Sequence, residues 1–161
     1  MNLKQSALLS MLPFIAMAVG SSVGGLLSDV IAKAVGKRAG RCLLAAVAIG
    51  LSAILIAMGT TIADTNTAVI YLAAGAGALY LSQSSFWSVS ADIGKKSAGS
   101  VSGVMNMGAQ TGSAITATLT PYIGTHFGWN ASFLVAAALC ACGAVAWLFV
   151  NPIESQSQMR S

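Results

Sequence analysis

Two amide side chains stand one helical turn apart in the longest uncharged stretch of the chain. Asn106 and Gln110 are four residues apart, so a helix places them on one face. An amide both donates and accepts hydrogen bonds, which suits recognition of a hydroxylated substrate in a water-filled cavity. The same amides can also hydrogen-bond to neighbouring membrane helices. The sequence leaves both interpretations open.

A second polar and aromatic group lies upstream. Ser84 and Trp87 share one helical face with Gln83. Trp87 can line a cavity, or it can anchor its helix at the membrane interface. We predict that one substrate-binding site contains Ser84, Trp87, Asn106 and Gln110.

A carboxylate followed by a basic turn is the next group of residues that could form a functional contact. Asp29 ends an apolar stretch, and Lys37, Arg38 and Arg41 follow it. A carboxylate at a helix end can bond to a basic turn or to the positive N-terminal end of a neighbouring helix. Such a contact breaks when two halves of a protein rock, so these four residues predict a conformational latch. The alternative is a solvated turn that only fixes topology.

The apolar stretches lack residues that could catalyse a reaction. None of these stretches carries Asp, Glu, Lys, Arg or His in its interior, and Cys140 and Cys142 face different sides of a helix. The sequence therefore predicts no catalytic site, no metal site and no cofactor. An enzyme is the least favoured class of function.

The composition shows which kind of element must position these residues. Of the 161 residues, 56% are hydrophobic and 7% are charged, and the mean hydropathy is +0.79. Soluble domains carry about 25% charged residues, so this chain cannot cover a water-exposed surface with charge. The composition excludes soluble enzymes, nucleic-acid-binding modules and disordered tails. It indicates an integral membrane protein whose partner is the lipid bilayer.

Charged residues divide the chain into stretches of membrane-crossing length. A helix needs about 20 residues to cross the hydrocarbon core, and the alternating polarity of barrel strands is absent. We predict an all-α integral membrane protein with five transmembrane helices, at about residues 6–28, 42–62, 67–91, 98–123 and 131–150.

The distribution of lysine and arginine predicts the orientation. Six of the eight basic residues fall in the loops at 29–41 and 92–97, whereas the turns at 63–66 and 122–130 hold none. Loops rich in lysine and arginine stay on the cytoplasmic side. We therefore expect an inner (cell) membrane protein with an external N-terminus and a cytoplasmic C-terminus.

Small residues recur at a spacing that brings helices together. Glycines four residues apart let helix backbones approach closely, which matters because lipid gives no hydrophobic drive for association. Three such pairs occur in the sequence: Gly20 with Gly24, Gly99 with Gly103, and Gly108 with Gly112.

Two stretches carry a resemblance to a known family. The run GGLLSD followed by VIAKAVGKRAGR resembles the loop signature of the major facilitator superfamily, with Val30 where a basic residue is usual and with a longer loop. The stretch from Phe86 to Trp129 is similar to the tenth and eleventh helices of its anion:cation symporter branch. That similarity rests on Trp87, the AG..SG..N pattern ending at Asn106, and the Phe127–Trp129 turn.

The resemblance implies a function and an incomplete architecture. The five spans would be helices 8–12 of a twelve-helix transporter, which is part of its C-terminal six-helix half. The branch moves sugar acids and related organic anions, and its charged pocket and ion-coupling groups lie on N-terminal helices that have no counterpart here. The expected function is therefore that of a C-terminal fragment of an ion-coupled secondary transporter. The alternative is a small membrane structural or assembly protein that uses its glycine-rich helix faces.

Overall fold

The computed structural model describes residues 3–151. They form helices joined by very short connections, and no strand occurs in this part of the chain. In chain order the elements are α1 (Leu3–Val35), a π-helical turn (Arg38–Leu43), α2 (Leu44–Thr61), α3 (Thr65–Leu81), α4 (Gln83–Gly94), a 3₁₀ turn (Lys95–Ser97), α5 (Ala98–Phe127) and α6 (Trp129–Leu148).

Helix α1 extends beyond the predicted span of 6–28. It continues through Asp29 to Val35, and the chain then turns at Gly36, whose φ of +108° is a conformation that favours glycine. The π-helical turn follows at once. Most of the segment expected to be a loop at 29–41 is therefore helical, because no proline or glycine occurs between Asp29 and Gly36.

The predicted span 67–91 is interrupted in the structure. The backbone N–H of Ser82 donates to the carbonyl of Leu79 at 3.1 Å, and its hydroxyl donates to the same carbonyl at 2.6 Å. Serine hydroxyls compete for helix carbonyls in this way. These two hydrogen bonds to the residue three positions back replace the regular helical pairing at Ser82, and the chain divides there into α3 and α4.

Within residues 3–151, three segments are long and apolar enough to cross a membrane: Ala7–Val35, Arg38–Thr61 and Trp129–Leu148. The break at Ser82 shortens α3 and α4, and α5 is long but rich in glycine, serine and threonine. The number of spans, five, therefore stays a prediction.

Close backbone contact holds α1 against α3. A Cβ atom at Gly20 would collide with the carbonyl of Gly77, and one at Gly24 would collide with the carbonyl of Leu81. Helix α2 packs against both α3 and α6. The buried residues are mostly alanine and serine, as expected where small side chains permit close approach.

The turn between α2 and α3 is fixed by a helix cap. Asp64 accepts hydrogen bonds from the backbone N–H of Thr67 at 2.9 Å and from its hydroxyl at 2.6 Å. The Thr67 hydroxyl, and then its backbone N–H, hold the pKa of Asp64 below its ordinary value. This cap gives α3 a defined first turn.

Candidate functional site

A cavity of about 380 Å³ lies between α4, the end of α3 and α5. Residues one turn apart on the interrupted helix form one wall, and residues of α5 form the other. The cavity is lined by Leu79, Tyr80, Ser82, Gln83, Phe86, Trp87, Met105, Asn106 and Ala109.

The lining combines aromatic surface with neutral hydrogen-bonding groups. Gln83 and Asn106 contribute amides, Trp87 contributes an indole N–H and Tyr80 a phenol. Trp87 and Tyr80 keep 45% and 39% of their surface exposed, so both are accessible to a ligand. Apolar walls with a few polar groups are typical of small-molecule sites.

Two lining residues are held by neighbours outside the cavity. The ring of Phe86 meets that of Trp147 in α6 edge to face, with the centroids 4.8 Å apart. The hydroxyl of Ser90 lies 3.0 Å from the sulfur of Met105. The first contact connects the α4 wall of the cavity to α6, and the second connects the α4 and α5 walls to each other.

The structure separates the four predicted substrate residues into two groups. Trp87 and Asn106 line the same cavity. Ser84 is turned toward α1, where its Cβ lies 3.9 Å from a Cβ placed on Gly25, and its hydroxyl is buried without a partner among the described residues. Gln110 is exposed one turn beyond Asn106 and is not among the lining residues.

A carboxylate that the sequence analysis did not single out organises the basic turn. Asp92, near the end of α4, accepts from Lys37 at 3.0 Å and also forms an ion pair with Arg41. Arg41 Nη1 additionally donates to the carbonyl of Ser88 at 2.7 Å. The side chains of Arg41 and Asp92 are only 15% and 14% exposed.

Asp29 is exposed, and no ion pair involves it in residues 3–151. Two members of the predicted latch, Lys37 and Arg41, instead pair with Asp92, and Arg38 is exposed. In this conformation Lys37 and Arg41 pair with a carboxylate of α4 and not with Asp29, while the backbone of the turn at Gly40 packs against α1 at Ser28 and Ala32. A latch that includes Asp29 stays a prediction.

Comparison with known families decides the class of this bundle. The sequence profile described as Major Facilitator Superfamily matches residues 1–159. The chain belongs to the major facilitator superfamily. The resemblance inferred from Trp87, Asn106 and the basic turn is thereby confirmed at the level of the superfamily.

Curated relatives of this superfamily chain are named as anion carriers. It is 36% identical over 154 residues to the probable sulfoacetate transporter SauU of Cupriavidus necator, covering 94% of this chain and 36% of that protein. It is 28% identical to the hexuronate transporter of Bacillus subtilis, covering 95% and 38% of the two chains. It is also 28% identical to the chloroplastic ascorbate transporter of Arabidopsis thaliana, covering 91% and 27%.

The chain thus spans about a third of the length of these relatives. No solved structure matches it significantly. The three relatives are each named as a transporter, of sulfoacetate, of hexuronate and of ascorbate.

In this superfamily chain, sequence reasoning missed Asp92 and the full extent of the cavity wall. The recurrence of Tyr80, Gln83 and Trp87 at spacings of three and four residues was a usable signal for one cavity face. Asp92 gave no such signal, because its partners lie 51 and 55 residues away in the sequence.

Proposed function

We propose that this chain forms the C-terminal part of a secondary active transporter that moves small organic anions by alternating access. The observation that carries the proposal is the cavity lined by Trp87, Asn106 and Gln83. Neutral donors on an aromatic wall suit a sugar acid or another small carboxylate or sulfonate. Sites of this kind form where two halves of a transporter meet.

In the proposed transporter, a second half must supply the positive charge that binds the anion. None of the nine lining residues is ionisable near neutral pH, while an anion in a cavity requires a cation to offset its desolvation. Coupling to an ion gradient requires intramembrane ionisable groups as well. We assign both to the missing N-terminal helices, so this chain alone binds the substrate weakly and does not transport it.

The open surface of α5 is consistent with that incompleteness. A Cβ placed on any of four glycines of this helix meets nothing within 4 Å. In the proposed transporter the N-terminal half packs on this face. The same face would suit a partner helix if the chain were a free-standing assembly protein. These glycines are Gly99, Gly103, Gly108 and Gly112.

The proposed orientation places the basic end of the bundle in the cytoplasm of the cell, with the C-terminus on that side. Asp29, exposed at this end, would contact the N-terminal half in one conformation and release it in the other. Lys37 and Arg41 would keep the turn in place through Asp92.

The test uses a chimera in which this chain replaces the matching C-terminal segment of the probable sulfoacetate transporter. Uptake and binding of labelled sulfoacetate and of a hexuronate are measured in proteoliposomes. Asn106→Ala removes an amide from the cavity and should lower substrate affinity about 5- to 150-fold, the equivalent of about 1–3 kcal/mol. Asn66→Ala, an exposed amide in the first turn of α3, is the matched control and should leave affinity unchanged.

The variants also separate the two roles open to the amides. Unchanged affinity together with a less stable Asn106→Ala protein would make this amide a helix-packing group and would contradict the proposed site. Gln110→Ala asks whether the neighbouring amide joins the site once the second half is present. Loss of affinity there would extend the site by one turn of α5.

A further inference from the structure

Four exposed cations at one end of the bundle have no acidic partner. The carboxylate of Asp92 is already shared by Lys37 and Arg41. Among the described residues, no ion pair involves the others, which are all exposed on the surface: Lys33, Arg38, Lys95 and Lys96.

The fold brings these cations to the same end. Lys33 lies in the last turn of α1, and Arg38 begins the π-helical turn that follows. The ion pair between Lys37 and Asp92 ties this segment to the end of α4, directly before Lys95 and Lys96. This end carries six basic residues and two acidic ones, Asp29 and Asp92, so its net charge is +4.

An exposed apolar stripe on α1 leads to the basic end. Val19, Val23, Leu26 and Val30 follow one another at spacings of four, three and four residues, so they lie on one face. Their exposed fractions are 58%, 40%, 71% and 63%. Lys33 comes three residues after Val30, so the stripe ends on an exposed cation. An apolar track with a cation at its end is complementary to an acyl chain with an anionic headgroup.

We propose that the basic end of this bundle is a binding site for an anionic phospholipid. Its acyl chain lies along the Val19–Val30 stripe, and its phosphodiester contacts Lys33 and Arg38, with Lys95 and Lys96 adding to the local potential. Juxtamembrane clusters of lysine and arginine attract anionic lipids with a strength that grows with each cation. The site is separate from the substrate cavity and does not depend on which anion is transported.

Lipid retention by the purified chain tests this proposal. The 161-residue protein in a neutral detergent is mixed with equal amounts of phosphatidylglycerol and phosphatidylcholine, and the retained lipid is counted by native mass spectrometry. We expect preferential retention of phosphatidylglycerol. The preference should fall about fivefold for each cation removed in Lys33→Gln and Arg38→Gln. Lys4→Gln removes one charge at the other end of α1 and is the matched control.

Several outcomes would overturn the proposal. One is equal retention of the two lipids, and another is an unchanged preference in the Lys33→Gln/Arg38→Gln protein. A third is displacement of phosphatidylglycerol by an equal concentration of inorganic phosphate, which would indicate a site for a free anion. Circular dichroism checks that the variants keep their helicity. Val30→Ser, which leaves every charge in place, should also weaken retention if the acyl chain follows the stripe.

Discussion

Replacing Asp92 by asparagine should destabilise the bundle far more than any other single change at its basic end. Arg41 is 15% exposed and Asp92 14% exposed, so both charges are largely withdrawn from water. Asp92→Asn leaves the Arg41 guanidinium buried with only neutral oxygens, the Ser88 carbonyl and the new amide, to offset its charge, and its Nε already has no partner among the described residues. Removing one member of a buried ion pair costs about 3–5 kcal/mol. The remaining exposure places this case near 3 kcal/mol.

The neighbouring pair supplies an internal comparison. Lys37 is 49% exposed, and ion pairs of exposed side chains contribute about 0.2–1 kcal/mol. Lys37→Gln should therefore cost at most about 1 kcal/mol. Asp29→Asn, at an exposed carboxylate without an ion pair among the described residues, should leave stability unchanged.

Unfolding by a denaturing detergent, followed by circular dichroism in mixed micelles, measures these differences. A double variant, Asp92→Asn with Arg41→Met, removes both buried charges and should recover part of the loss seen in Asp92→Asn alone. If Asp92→Asn costs no more than Lys37→Gln, Arg41 is solvated and its burial does not determine the cost. The same conclusion follows if the double variant is the least stable of all.

Three further predictions address packing and the helix cap. Gly24→Ala places a methyl group against a backbone carbonyl of α3 and should destabilise the bundle by about 1–3 kcal/mol. In the same unfolding assay Gly108→Ala should be neutral or stabilising, because nothing lies within 4 Å of that position. Trp147→Leu removes the ring contact with Phe86 and should cost about 0.5–1.5 kcal/mol beyond its lost area, together with weaker substrate binding in the chimera. The pKa of Asp64 is lowered, so its cap stabilises α3 at pH values above the ordinary aspartate pKa and loses this effect as the pH falls through the folded-state pKa. An acid titration of helicity should therefore show a difference between wild type and Asp64→Ala that disappears at low pH.

The sequence predicts the helical membrane character because composition and charge spacing are global quantities. It also brings Trp87 and Asn106 to one site, because each has a definite position on its helix and the two helices are adjacent in the chain. The same reasoning cannot orient Ser84, whose direction depends on how close α1 comes at Gly25. Helical spacing places it beside Gln83, but packing turns it away from the cavity.

Ion pairs show the limit of sequence reasoning most plainly. Asp29 is the nearest carboxylate to the basic turn along the chain, yet Lys37 and Arg41 pair with Asp92. The outcome depends on the close approach of α1 to the α3–α4 segment, which brings the end of α4 beside the basic turn. Helix boundaries depend on equally local causes, since α1 continues past its predicted end until Gly36 turns the chain, and Ser82 divides the third span.

The backbone contacts at Gly20 and Gly24 have a mechanical consequence. At Gly20 and Gly24 the carbonyls of Gly77 and Leu81 lie so close that no side chain fits between α1 and α3. We therefore expect the two helices to move as one rigid unit. Helix α5 has open space at four of its glycines, Gly99, Gly103, Gly108 and Gly112, and packs mainly against α4 and α6. Any bending within this bundle should concentrate where α5 meets α4, beside the cavity that Trp87 and Asn106 line.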